Sequence, residues 1–218
     1  MEILYLDNKI IVCVKPVGVL SADEPGGMPS LLRAALGDDA APVYAVHRLD
    51  AAVSGVMVYA RTRHAAADLG RAIERGDVRK EYLAVACGAL PAPSGELRDL
   101  LWRDRKRRKT FVAEAPGKDV REARLAYEVL AERAGLSLCR VRLYTGRAHQ
   151  IRCQLASCGA PLWGDAKYGG SGEGDIALFS CKLAFPHPLT GEVLTFEKKP
   201  PAAYPWTEFS GEIGDIKI

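Results

Sequence analysis

The sequence predicts an α+β protein built on a mixed or antiparallel sheet. Three observations carry that expectation. Short β-rich runs recur along the chain, stretches of helical period are few, and the two never alternate as a regular parallel βαβ repeat. With 218 residues, 48% hydrophobic and 26% charged, the chain has the length and balance of an ordered globular protein.

The run 10–14 (Ile-Ile-Val-Cys-Val) reads as a strand closed by Lys15-Pro16 and the turn Val17-Gly18. Leu31, Leu32 and Ala35 place a short helix over 29–36, with Pro29 at its start. Residues 43–46 read as extended and 56–60 as a strand. Between them lies the polar segment His47-Arg48-Leu49-Asp50-Ala51-Ala52-Val53-Ser54-Gly55, a natural place to present side chains in a cleft. Ala65, Leu69, Ala72 and Ile73 give the inner face of a helix over 64–74 that Gly76 ends. Residues 82–87 form the next strand, and Pro91, Pro93 and Gly95 mark a turn-rich connection. That connection is too short to separate domains, so 1–218 reads as one domain.

Residues 103–109 (Arg-Asp-Arg-Lys-Arg-Arg-Lys) read as a charged loop. Residues 124–130 and 137–143 follow as neighbouring strands around the Ala134-Gly135 turn. Residues 146–158 suit a helix entered from a loop and closed by Gly159-Ala160-Pro161. The glycine-rich stretch 168–175 reads as flexible chain, and the tail as strands flanking a turn at 187–192.

A net charge of +3 permits a nucleic-acid partner without requiring one. No segment has the long apolar run of a membrane span or an export signal, and the six cysteines are scattered through regular segments. The expectation is therefore a cytoplasmic protein with reduced thiols, monomeric and without an obligatory protein partner.

Asp50 is the carboxylate that stands out, because Arg48 precedes it and Ser54-Gly55 can bend the chain beside it. It reads either as a turn-capping residue or as a carboxylate held for nucleophilic or proton-transfer work. Arg147, after Gly146 at a strand-to-helix corner, is its candidate partner. Tyr82 reads as a core tyrosine or as a ring that stacks on a flipped base. Arg105, Lys106, Arg107 and Arg108 have the density of a phosphate-contacting patch, which Lys15, Lys80, Arg98 and Arg152 could extend. Trp102 and Phe111 lie close by and could stack on unpaired bases. His149 and Cys153 lack the paired ligand spacing of a zinc site, and the glycine stretch lacks the ending of a nucleotide phosphate loop, so neither metal nor organic cofactor is expected.

The segment His47-Arg48-Leu49-Asp50, followed by Ser54-Gly55, resembles the RluA-type family of RNA pseudouridine synthases, which isomerise uridines of bacterial ribosomal and transfer RNA. Further segments agree in the family's order. They are Lys15-Pro16-Val17-Gly18, Lys80-Glu81-Tyr82-Leu83-Ala84, Thr145-Gly146-Arg147-Ala148-His149-Gln150-Ile151-Arg152, Gly164-Asp165-Ala166-Lys167-Tyr168-Gly169 and His187-Pro188-Leu189-Thr190-Gly191-Glu192. The resemblance implies a pseudouridine synthase catalytic fold, with a central mixed, largely antiparallel sheet flanked by helices and an RNA-binding cleft. It makes Asp50 the essential aspartate, Arg147 its basic partner and Tyr82 the active-site tyrosine. Arg48 is implied to hold the RNA once the uridine has left the stack, and His149, Gln150 and Arg152 to shape the RNA-facing wall. Ribosomal or transfer RNA is the implied partner. Val53 and Ala148 depart from the family's usual threonines, each removing a hydroxyl. The motifs begin almost at Met1, so the N-terminal S4-like RNA-binding domain of many relatives is not expected here.

Overall fold

The computed structural model describes residues 1–216, and the chain resolves into two compact units. Residues 1–80 and 180–198 make the first, and 81–179 with 199–216 make the second. Single-domain organisation was the expectation; the boundaries at 80/81 and 179/180 fall in segments without the glycine or proline that would mark a linker, whereas Pro200-Pro201 follows the boundary at 198/199.

In the first unit β1 (Glu2–Leu6) and β2 (Ile10–Lys15) form an antiparallel hairpin. Its turn is set by Asp7, whose Oδ1 accepts the amides of Lys9 and Ile10 at 2.7 and 2.8 Å. Ile10 to Cys13 are fully buried, which explains an unbroken apolar run in place of alternation. α1 (Met28–Leu36) carries Pro29 in its first turn and ends on Gly37 at φ 67°. β3 (Tyr44–Ala45) and β2 both pair with β4 (Ser54–Ala60) in antiparallel register. α2 (Arg63–Arg75) begins where the Thr62 hydroxyl accepts the Ala65 amide at 3.1 Å, and Gly76 stops it. Its Ala65 and Leu69 pack on Ile10, Val12, Val56, Val58, Leu183 and Phe185, the core of this unit.

The remaining strands are β5 (Arg79–Cys87), β6 (Ser94–Asp104), β7 (Lys109–Ala113), β8 (Val120–Arg133), β9 (Leu136–Leu143), β10 (Leu178–Pro186) and β11 (Val193–Glu197). β10 and β11 form a hairpin whose turn holds His187; its Nε2 meets Asp7 Oδ2 at 2.9 Å, so the final motif of the chain closes onto the first turn. In the second unit the strand order is β5-β9-β8-β6-β7, with β6–β7, β6–β8 and β8–β9 antiparallel. α3 (Gln150–Ser157) contributes Cys153 to a cluster with Leu101 and Ala123, and α4 (Ser210–Asp215) closes the described chain. Cys13 and Cys139 are buried in their strands, and burial lifts both thiols to about 12.

Three expectations change. The basic stretch is a hairpin rather than a loop: Arg103 and Asp104 end β6, Lys109 starts β7, and only the tip turns. The helix expected over 146–158 starts at Gln150 because His149 adopts a left-handed conformation at φ 54° and holds 146–149 as loop. The glycine stretch is packed as well as turning, for a Cβ on Gly172 would lie 2.1 Å from the Trp163 ring.

Candidate active site and RNA-facing surface

In the first unit the Asp50 loop is pinned from two sides. Leu49 is buried and trades two hydrogen bonds with Ser21: its amide donates to Ser21 Oγ at 3.0 Å, and that hydroxyl donates to the Leu49 carbonyl at 2.8 Å. One residue past Asp50, the Ala51 carbonyl accepts the Gly18 amide at 2.8 Å and the Lys15 ammonium at 3.1 Å. The Val53 amide returns to the Asp50 carbonyl at 3.0 Å, closing the turn. Val53 is buried, so the hydroxyl missing at this position is replaced by apolar packing. Gly55 then leaves at φ 127°, where a Cβ would fall 2.4 Å from the Ser180 carbonyl oxygen; only glycine fits.

Lys15 was expected on an RNA-contacting surface, and its placement corrects that. It is fully buried, and its ammonium spends its three donors on the carbonyls of Pro16 at 2.8 Å, Val19 at 2.7 Å and Ala51. None remains for a phosphate. Burial lowers its pKa to about 8, with the Asp50 charge pulling the other way. Lys15 is thus a buried cation that ties the first turn to the Asp50 loop.

His47 opens the same segment. Its Nε2 accepts the Val58 amide at 3.1 Å, which places the proton of the neutral ring on Nδ1. Burial, with Lys80's charge second, holds its pKa well below the ordinary histidine value, so the ring is neutral at pH 7. Arg48 is exposed.

In the second unit Tyr82 lies in β5 with only 5% of its surface exposed. The loop from Thr145 to His149 is held from within. The Gln150 Oε1 accepts the Thr145 hydroxyl at 2.8 Å and the Arg147 amide at 2.9 Å, while its Nε2 donates to the Arg124 carbonyl at 3.1 Å. Gln150 is therefore a buried brace and not part of an RNA-facing wall. Arg147 is exposed, and its Nε donates to the Glu122 carbonyl at 2.8 Å.

Arg152 also departs from the expected surface role. It is buried, and its guanidinium meets the equally buried Asp165 in two bonds, Nε–Oδ2 at 2.6 Å and Nη2–Oδ1 at 2.8 Å. His149 Nδ1 lies 3.0 Å from the Tyr168 hydroxyl, which accepts the Thr110 amide at 2.8 Å. The Thr110 hydroxyl in turn reaches the Ala148 carbonyl at 2.8 Å. His149, Tyr168 and Thr110 therefore couple the signature loop to the basic hairpin, whereas Cys153 faces the apolar cluster.

Sequence reasoning matched Gly164 to Gly169 to a motif but assigned it no task; Asp165 and Tyr168 are what it supplies. Ser21 and Tyr59, whose hydroxyl donates to the Ser21 carbonyl at 3.1 Å, carried no sequence signal, since the pairing spans 38 positions. The hairpin tip matches its expectation in exposure: Arg105, Lys106, Arg107 and Arg108 all face solvent, with Arg107's amide on Asp104 at 2.9 Å. Among the described residues no helix is long and apolar enough to cross a membrane.

A family model described as RNA pseudouridylate synthase matches residues 9–157. The chain is 34% identical over 212 residues to the RNA pseudouridine synthase YhcT of Bacillus subtilis, covering 93% of this chain and 69% of that one. It is 33% identical over 212 residues to the dual-specificity RNA pseudouridine synthase RluA of Haemophilus influenzae, covering 91% and 93%. Among solved structures, human RNA pseudouridylate synthase domain containing 4 superposes with a TM-score of 0.79 at 20% identity, over 98% of this chain and 93% of that one. That likeness is one of fold.

Proposed function

The chain belongs to the RNA pseudouridylate synthase family, and from that premise we propose that it isomerises particular uridines of structured ribosomal or transfer RNA, acting as one catalytic domain over 1–218. The observation that carries the proposal is the Asp50 loop: a carboxylate on a turn pinned on one side by Ser21 and on the other by Lys15 and Gly18. A reacting group whose backbone is fixed before substrate arrives spends no binding energy on being ordered.

The target uridine turns out of its stack, at least cost where it is already unpaired. Asp50 then opens the N1–C1′ bond, by attacking ribose C1′ or by taking the C2′ proton to leave a glycal-like sugar. The detached uracil rotates and C5 bonds to C1′, displacing the Asp50 carboxylate from C1′ on the first route or with the proton on Asp50 returned to C2′ on the second; loss of the C5 proton and gain of one at N1 then restore the ring. The product has the atoms of the reactant, so no redox partner or co-substrate enters. Tyr82 stacks on the base and takes part in the final proton transfer, and Arg48 holds the emptied stack. The resemblance puts the basic partner at Arg147, but side-chain placement favours Arg152 for the fixed cationic role. Arg152 is buried and locked in orientation by Asp165, whereas Arg147 is exposed and suited to a phosphate.

Uridine-specific mapping of pseudouridine in total RNA, from cells with and without the gene, tests the proposal. A site that disappears with the gene and returns with the wild-type chain, but not with Asp50→Asn, is the expected result. No altered site in ribosomal or transfer RNA would overturn the substrate assignment.

A further inference from the structure

The β6–β9 region is more basic than the rest of the chain: residues 94–145 hold 13 Lys or Arg against 8 Asp or Glu, in a protein of net charge +3. Strand register sorts its side chains onto two faces. Leu101, Thr110, Ala123, Leu125, Cys139 and Val141 are buried, on the face where α3 packs through Cys153. The other face is open, and it carries aromatics where an ordinary exposed sheet carries polar residues.

Trp102 and Phe111 are cross-strand partners stacked at 5.8 Å and 30°, with Trp102 41% exposed. Lys109, two residues from Phe111, places its ammonium 5.5 Å from that ring. At the other end Tyr144, also 41% exposed, is covered by the guanidinium groups of Arg124 and Arg142, at 4.3 and 5.2 Å from its ring centroid. The nearby acids are largely spent: Glu96 is paired with Arg98 and Arg124, and Glu128 lies 3.6 Å from Arg140. Tyr144 directly precedes Thr145-Gly146-Arg147, and the exposed tip Arg105 to Arg108 lies beyond Trp102, so the face runs from the signature loop to the basic turn.

Resting on the activity proposed above, we propose that this open sheet face is a second RNA-binding platform. It takes unpaired nucleotides flanking the target and stacks their bases on Trp102 and on the part of Tyr144 that Arg124 and Arg142 leave exposed, while the surrounding basic side chains follow the phosphates. Exposed aromatic rings interleaved with basic side chains match single-stranded RNA, whose bases offer a π-face and whose backbone is anionic. A helical RNA keeps its bases stacked internally and cannot use the rings. The favoured substrate is therefore a uridine in a loop or bulge with unpaired neighbours.

The test is equilibrium binding by Asp50→Asn protein, which reads affinity without turnover, to a stem-loop with unpaired flanks and to a duplex of equal length. Adding Trp102→Ala or Tyr144→Ala is expected to weaken binding of the stem-loop about tenfold or more per ring, leaving duplex affinity and the salt slope close to unchanged. Trp102→Phe should restore most of the loss, which separates stacking from misfolding. An alanine pair that binds the stem-loop like its parent, or loses the two RNAs equally, overturns the platform. So would unchanged RNA affinity with altered self-association, which would make the face a protein interface. Loss of the proposed activity would appear separately, as wild-type protein that shows the stacking effect yet forms no pseudouridine.

Discussion

At the scale of single residues, the molecule separates groups that react from groups that hold. Asp50→Asn keeps the size of the side chain and removes its charge. Turnover should fall by at least about a thousandfold with RNA affinity nearly preserved, read by single-turnover isomerisation against filter binding. Lys15→Met is the contrasting change, since it strands three carbonyls that the ammonium satisfies. It should cost about 3 kcal/mol or more in urea unfolding and abolish activity with it. His47 offers a pH signature. Its folded pKa lies below that of the unfolded chain, so below about pH 6.5 the unfolded state binds more protons and stability falls as pH drops. His47→Gln, whose amide oxygen can still accept the Val58 N–H, should flatten that acid-side loss. Asp50 was legible in the sequence because its neighbours form a motif. Lys15 was misread because a lysine within an ordered motif looks the same whether its end meets a phosphate or three carbonyls.

At the scale of elements, what was legible was local. Gly76 ends α2 where the sequence placed it, and the Ala134-Gly135 turn joins β8 and β9 as expected, with both residues at positive φ. What escaped was pairing. β6 was hidden because its run 94–104 mixes charged and apolar residues and follows a proline-rich turn, and only its register with β8 makes it a strand. Thr62→Ala removes the cap of α2 and should cost about 1 kcal/mol, with the m-value unchanged. The Arg152–Asp165 pair should be far less tolerant. Asp165→Asn leaves a buried guanidinium short of its counter-charge, an expected loss of about 3 kcal/mol in chemical denaturation.

At the scale of the whole molecule, a net charge of +3 understates its affinity for RNA, because basic residues concentrate in 94–145. Replacing Arg105, Lys106, Arg107 and Arg108 by glutamine should weaken binding at low salt. It should also reduce the slope of log K against log salt by up to about 3, as four phosphate contacts would require. An unchanged slope would make the tip a bystander. The fold class was legible from the texture of the sequence, but division into two compact units was not, because two of the three crossings, at 80/81 and 179/180, run through β5 and β10 without a compositional break.

Two of the buried thiols bear on that division. Cys13 lies in the first unit and Cys139 in the second, and with each thiol lifted to about 12 neither is appreciably nucleophilic while its strand is closed. An alkylating reagent consequently keeps time for each half of the protein on its own clock. Equal labelling rates at the two positions across a denaturant series would mean that the halves open as one cooperative body. A lag at one of them would reveal a partly open form in which the loop bearing Asp50 and the sheet bearing Trp102 are no longer ordered together.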